Sequence, residues 1–256
     1  MRIASYNLYR GAHDTMPLLR DFVEEEGIDV LCLQEANGWN EGYPTRLERF
    51  AAESGLAWYA FGDTNSEYKL ATLSRVPILQ AEIHTERFWH GALRTVIPYG
   101  SGTIDQWNIH LDPSDEDSRL EEVTYAVPLF QTAQNVLALG DFNSLSTFDL
   151  YPEDLASELF LQGITKFGLD ELRRDVTNYL ASQGFFDIAV VKDKVESTVP
   201  TPANQDKYHA AAMRLDYMFA SHSLLQHVRN ITVVKNRFTK KISDHYPLVV
   251  TLAEAS

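Results

Sequence analysis

Cysteine is almost absent from this chain. Cys32 is the only one, so no intramolecular disulfide is possible and a reducing, cytoplasmic setting is expected. It lies in the apolar run 28–33, which marks it as a buried, inert thiol. Basic residues are scarce too. Lys and Arg number 22 against 36 Asp and Glu, a formal net charge of −14. Such a surface works against long contacts with a nucleic-acid backbone, whose phosphates must be neutralised. No stretch comes near the roughly 20 consecutive apolar residues that cross a bilayer. Residues 1–7 alternate like a strand and lack the apolar core of a signal peptide. Also missing are a Gly-rich phosphate loop, a nucleophilic-serine motif and any zinc-like spacing of His and Cys. These absences set aside secreted disulfide scaffolds, membrane spans, P-loop nucleotide hydrolases and serine hydrolases.

What is present reads as one globular domain over residues 1–256. Hydrophobic content is 45% and charged content 23%, without a Gly/Ser linker, a low-complexity tract or an internal repeat. Alternating or apolar runs predict strands at 2–8, 28–33, 56–61, 69–75, 78–84, 92–98, 103–111, 136–139, 213–220, 230–235 and 247–252. Helices are expected at 15–26, with Pro17 in the first turn and Gly27 as the stop, and at about 44–54, closed by Gly55. A mixed helical stretch follows at 115–133, and an amphipathic helix at 169–183 with Leu172, Val176, Tyr179 and Leu180 inward. Residues 197–211 are rich in Thr, Pro, Asn and Asp and read as a loop. Many short strands with few helices between them predict an α+β fold of face-to-face sheets with helices outside.

The run Leu139-Gly140-Asp141-Phe142-Asn143 is the most informative. A buried strand ends at a Gly, then presents an Asp and an Asn two residues apart, which project to one side of an extended segment. The carboxylate can take a proton and the amide can orient a water or a phosphate. In isolation such a pair is more often a capped turn. It has company: Asn7, Gln34-Glu35, His110, Arg214-Leu215-Asp216-Tyr217 and Ser243-Asp244-His245 all lie in or at the ends of strand-like runs.

From Ile3–Asn7 to Ser243–Leu248, these motifs in this order resemble the endonuclease/exonuclease/phosphatase superfamily, specifically its deoxyribonuclease, neutral sphingomyelinase and phosphodiesterase branches. The resemblance implies a four-layer αββα sandwich of two mixed β-sheets flanked by helices. It implies a Mg²⁺- or Mn²⁺-dependent phosphoesterase, with a phosphodiester as the leading substrate, that uses in-line attack of water. Glu35 would be the principal metal ligand, joined by Asn7 and Asp244; Asp141 would activate the water, and Asn143 would orient it or the phosphate. His245, held by Asp216, would be an imidazolium contacting a non-bridging phosphate oxygen. His110, in place of the Tyr found elsewhere in the AP-endonuclease branch, would contact the phosphate or assist the leaving group. Asn7, His110, Asn143 and Arg119 complete the expected substrate contacts, and Gly140 is expected to allow close backbone approach.

His13, His84, His90, His209, His222 and His227 match no motif and are expected to be structural or at the surface. Trp58, Trp89 and Trp107 are expected in the core, whereas Trp39, Tyr43, Phe148, Tyr151 and Tyr208 are candidates to shape a cleft. From Lys207 to Lys241 seven basic residues face one acidic one, Asp216, a local bias that could draw a phosphate towards the site. The acidic run 112–122 and the long segment 144–212 argue for a small or flexible phosphoester over duplex DNA. The rival readings are a general DNA endonuclease and, from another class, a catalytically silent binding module. The latter would be expected to lose Glu35 or the Asp216–His245 pair, and this chain keeps both. Oligomeric state, metal count and mono- versus diester preference are left open at this stage.

Overall fold

The structure is a computed structural model and describes residues 1–253. In chain order these form β1 (Arg2–Asn7), α1 (Met16–Glu25), β2 (Val30–Gln34), α2 (Arg46–Ser54), β3 (Trp58–Gly62), β4 (Leu70–Ser74) and β5 (Gln80–His84). Next come β6 (Gly91–Tyr99), β7 (Gly102–His110), α3 (Glu116–Phe130), β8 (Val136–Asp141), α4 (Leu155–Leu161), α5 (Asp175–Ser182) and β9 (Phe186–Asp187). The chain closes with α6 (Ile188–Val191), β10 (Asp216–Ala220), α7 (His222–Leu225), β11 (Val228–Val233), α8 (Thr239–Ile242) and β12 (Leu248–Leu252).

Two six-stranded sheets result, in the orders β11-β12-β1-β2-β4-β3 and β5-β6-β7-β8-β10-β9. Each is mixed: β1–β2 and β7–β8 run parallel, and the remaining pairs are antiparallel. Strand alternation sorts the side chains into layers. On β1, Ala4 and Tyr6 pack outward with Leu19 and Phe22 of α1 and Phe50 of α2, while Ile3 joins the inter-sheet core. On β8, Leu137 and Leu139 face the first sheet, and Val136 and Ala138 pack outward with Val123, Val127 and Phe130 of α3 and Val176 and Leu180 of α5. The expected four-layer αββα sandwich is therefore the observed fold.

The inter-sheet layer is not wholly apolar. Gln34 Nε2 donates to Asn108 Oδ1 at 2.6 Å and to Ser5 Oγ at 3.2 Å, and Asn108 Nδ2 donates to the Leu33 and Ala71 carbonyls, each at 3.0 Å. These bonds cross from one sheet to the other one residue or one strand away from the site, so they set the separation of the strand ends that carry it. Cys32 lies in the same layer, fully buried, with burial raising its thiol to about 12, as an inert thiol requires.

Several local expectations need correction. The helix expected at 169–183 begins only at Asp175, because Gly168, at φ +119°, and the bond from Arg173 N to Phe167 O turn the chain back first. Helix α4 was not foreseen. Helix α3 lacked a clean apolar stripe because Glu116, Arg119 and Glu122 occupy its buried face with Val123 and Val127. Trp58 and Trp89 are exposed, at 48% and 60%, and only Trp107 of the three is core. Trp58 stands on β3, the edge strand of its sheet, and Trp89 in the turn before β6. Trp39, expected near a cleft, is fully buried, bonded to Gly11 O and packed on Phe50.

Candidate active site

Strand pairing assembles the center of the site. His110 at the end of β7 is in register with Asp141 at the end of β8, and Asp141 is in register with Asp216 at the start of β10. Across the inter-sheet layer, Asn7 ends β1 in register with Gln34, and Glu35 follows at once. The three residues of the second sheet have the parity of Leu139 and Met218, which face the first sheet, so their side chains converge on Asn7. Gly140 makes this close packing possible. At φ +139°, a β-carbon there would sit 1.9 Å from the Ile109 carbonyl oxygen, so any side chain would push β7 and β8 apart.

Asp141 is the hub. Its Oδ2 accepts from Asn7 Nδ2 at 3.0 Å and its Oδ1 from the Asn143 backbone N–H at 2.9 Å. The same Oδ2 lies 3.6 Å from His110 Nε2 and 3.8 Å from His245 Nε2. Asn7 also donates to Glu35 Oε1 at 3.3 Å, and its own oxygen accepts from Tyr9 N at 3.0 Å. Four residues here stand in left-handed backbone, Tyr9 at φ 44°, Arg10 at φ 61°, Glu35 at φ 55° and Asn143 at φ 50°, a costly conformation for non-glycines that gathers at functional sites. Glu35, His110, Asp141, Asn143 and His245 open on a cavity of about 660 Å³.

Burial and charge set the protonation of each group. Burial alone would lower His245 and raise Asp216. The 2.8 Å contact between His245 Nδ1 and Asp216 Oδ2 outweighs it, and with the charges of Asp141 and Asp244 it brings the imidazole up to about 10. His245 is therefore an imidazolium at neutral pH. His110 Nδ1, by contrast, is buried without a hydrogen bond among the described residues. Burial, then the positive charges of His245 and Lys166, push it down to about 3. Burial also raises the Glu35 carboxyl to about 7, against the pull of the Arg10 N–H that it accepts at 2.7 Å.

Glu35, Asp141 and Asp244 bring three carboxylates to one cavity, and the Asn7 amide nitrogen donates to the first two. After burial, the charges of Asp244 and Asp141 add to the upward shift of Glu35, against the pull of His245. Clustered carboxylate oxygens of like charge in one pocket fit a divalent cation.

Some residues at this cavity carried no sequence signal. His90 stacks on His110, with ring centroids 4.1 Å apart, and its Nδ1 lies 2.6 Å from Ser66 Oγ. His209 Nδ1 lies 3.0 Å from Asp244 Oδ2, and its ring meets that of His245 edge-on. Lys166, buried in the segment between the motifs, reaches Asn143 Oδ1 at 3.2 Å, and Tyr9, Arg10, Tyr68 and Lys207 line the mouth. His90 and His209, expected to be structural or at the surface, thus belong to the cavity wall. The absence of any Lys or Arg in residues 120–165 could have singled out Lys166.

Others fall elsewhere. Arg119, expected to touch substrate, is fully buried beneath the site, with its guanidinium bonded to Glu116 and to the carbonyls of Asp112 and Lys166. Of the acidic run 112–122, Asp112, Glu116 and Glu122 point inward; Glu122 accepts the backbone N–H groups of Trp89 and Asp112, and burial raises it to about 8. Of the candidate cleft aromatics only Tyr208 lines the cavity. Phe148 lines a separate apolar pocket with Phe185, Tyr43 is in open solvent, and Tyr151 bonds Asp149. Arg214 of the basic stretch is used internally, paired with Asp149 and Asp187 at 2.7 and 2.8 Å.

The model of the endonuclease/exonuclease/phosphatase family matches residues 4–245. The chain belongs to this family. Its members are hydrolases acting on phosphoester bonds. No curated protein matches the sequence. An AP endonuclease from Archaeoglobus fulgidus superposes with a TM-score of 0.71 at 17% identity, covering 98% of this chain and 99% of that one. A 3'-5' exonuclease from Neisseria meningitidis gives 0.73 at 13%, covering 99% and 100%. An endonuclease/exonuclease/phosphatase family protein from Leptotrichia buccalis gives 0.69 at 17%, covering 98% and 99%. At these identities the structural likeness establishes the fold.

Proposed function

We propose that the chain is a divalent-metal-dependent phosphoesterase that hydrolyses a phosphoester, foremost a phosphodiester, by in-line attack of water. The observation that carries this reading is Asp141, a carboxylate fixed by Asn7 and Asn143 with the His110 and His245 imidazoles on either side of it. Glu35, Asn7 and Asp244 would hold Mg²⁺ or Mn²⁺, which when bound supplies Lewis acidity toward the phosphoryl group. Asp141 takes the proton of the attacking water as its oxygen bonds to phosphorus. The ester P–O bond on the far side breaks, and the leaving oxygen takes a proton from solvent water while Asp141 returns the one it accepted to solvent. His245, kept charged by Asp216, contacts a non-bridging oxygen as its negative charge grows. His110 offers a neutral imidazole to the phosphate or the leaving group, and Asn7 and Asn143 orient the reactants.

A small or flexible phosphoester is favoured over long duplex DNA. The net charge of −14 opposes a polyanion, and Tyr208, from the long intervening segment, lines the cavity. The rival substrate is DNA, which the names of the Archaeoglobus and Neisseria proteins suggest, and exposed Arg10 and Lys207 at the mouth would favour it. Among the described residues no helix is long and apolar enough to cross a membrane, and the single buried thiol suits a cytoplasmic setting.

Hydrolysis of bis(4-nitrophenyl) phosphate, 4-nitrophenyl phosphate, a lipid phosphodiester and plasmid DNA, each with Mg²⁺ or Mn²⁺ and with excess EDTA, tests both parts. Turnover that requires metal and is fastest on a small ester is expected. Undiminished hydrolysis in EDTA would overturn the metal requirement, and plasmid nicking without turnover of any small ester would reverse the substrate order.

A further inference from the structure

Lys166 is a cation that the mechanism above does not use. The residue is only 8% exposed, yet it opens on the cavity that holds Asp141. An ammonium carries three N–H donors, and here a single hydrogen bond is made, to Asn143 Oδ1 at 3.2 Å. The rings of Phe167 and Tyr208 stand 5.0 and 5.7 Å from Nζ. Among the described residues no carboxylate lies within 4.0 Å of it, whereas Arg94, Arg119, Arg173 and Arg214 each have one. Asp141, Asp206 and Asp244 of the same cavity favour its charge, but none is in direct contact, and buried charges are ordinarily paired in contact. An anion in the cavity would supply the missing partner.

Asn143 defines where that anion would sit. Its backbone N–H is given to Asp141 Oδ1 and one Nδ2 hydrogen to the Leu111 carbonyl at 3.2 Å, so its carboxamide is held from both sides with its oxygen turned to Lys166. The amide therefore presents the ammonium beside the carboxylate that activates water. A purely structural lysine would need only the bond to Asn143 and would be better served by a neutral donor.

We propose that Lys166 is a substrate-contacting residue, its ammonium binding an oxygen of the phosphate group that the site hydrolyses. This rests on the phosphoesterase reading for its reaction but not for the ligand class, which is a phosphate oxyanion. Lys166 then divides the phosphate charge with His245, one cation fixed by Asp216 and the other by Asn143.

The test uses the full-length protein and inorganic phosphate as the probe, by isothermal titration in the presence of Mg²⁺, with Lys166→Met and Lys166→Arg. Lys166→Met, of similar length and uncharged, should weaken phosphate binding about 10–100-fold, the worth of a charged hydrogen bond. It should lower kcat/KM on bis(4-nitrophenyl) phosphate by a like factor, with Tm unchanged or raised because an unpaired buried charge has gone. Lys166→Arg should retain phosphate binding to within a few-fold, and it carries the test if the Met variant does not fold. Phosphate affinity and kcat/KM within twofold of wild type in Lys166→Met would overturn the proposal. So would a fall in Tm with phosphate affinity unchanged, the signature of a mere prop for Asn143. If wild type binds phosphate in a Lys166-dependent manner but hydrolyses no phosphoester, the assignment of Lys166 stands and the proposed reaction falls.

Discussion

His245 and His110 approach the same oxygen of Asp141, at 3.8 and 3.6 Å, and both are almost wholly buried. Yet one is driven up to about 10 and the other down to about 3. The difference lies behind the rings. Asp216 bonds His245 Nδ1, whereas His110 Nδ1 has no hydrogen-bond partner among the described residues and His90, another imidazole, covers its face. Burial disfavours charge on both, and only a carboxylate in contact outweighs it. In the proposed reaction, such a site would offer one permanent cation to the charge that grows on phosphate and one neutral donor or acceptor that does not repel it.

The sharpest way to break this comparison is to remove the carboxylate. If Asp216 acts only through the imidazole, Asp216→Asn, His245→Ala and the double variant should each lose kcat by on the order of 10²–10³. The double variant should lose little more than either single one. Additive losses in the cycle would show two independent roles.

The converse change gives His110 what it lacks. His90→Asp places a carboxylate where the stacked ring stood, and the His110 titration, followed by NMR of its ring nitrogens in EDTA, should rise by at least about 1 unit. No movement would mean that something other than the missing carboxylate holds His110 neutral.

A smaller effect concerns stability. The folded-state values of His90 and His110, about 2 and about 3, lie below the ordinary histidine value, so the native state binds fewer protons than the unfolded chain. Their stabilising share is present above about pH 6.5 and is lost as pH falls toward those values. His245, raised to about 10, behaves oppositely: its share is present below about pH 6.5 and is lost as pH rises through about 10. His90→Phe should accordingly shallow the acid limb, so that between pH 6.5 and 5 Tm falls about 2–4 °C less than in wild type. An unchanged acid limb would contradict the assignment.

The same comparison separates what the sequence disclosed from what it hid. Asp141, Asp216, Asn7 and Glu35 stand at strand ends, where alternation and a motif place them together, and the strands themselves were legible because apolar parity survives in Ile3, Leu137, Leu139 and Met218. His90, His209 and Lys166 were not legible. They come from turns and from a long irregular segment, where no period connects a residue to its spatial neighbour, and a lone His or Lys is usually structural or solvated. Arg119 and Glu122 misled for the opposite reason: charged residues on a helix read as surface, but here they face inward to hold the loop after His110. Trp58 misled because its strand lies at a sheet edge, where one side of the alternation meets water.

The most direct measurement of the central claim is the turnover of Asp141→Asn on bis(4-nitrophenyl) phosphate with saturating Mn²⁺, alongside Mn²⁺ binding followed by electron paramagnetic resonance. With Asp141 as the base, kcat should fall by about 10²–10⁴ while a bound-Mn²⁺ signal persists through Glu35. Turnover within a few-fold of wild type, with metal still bound, would contradict it.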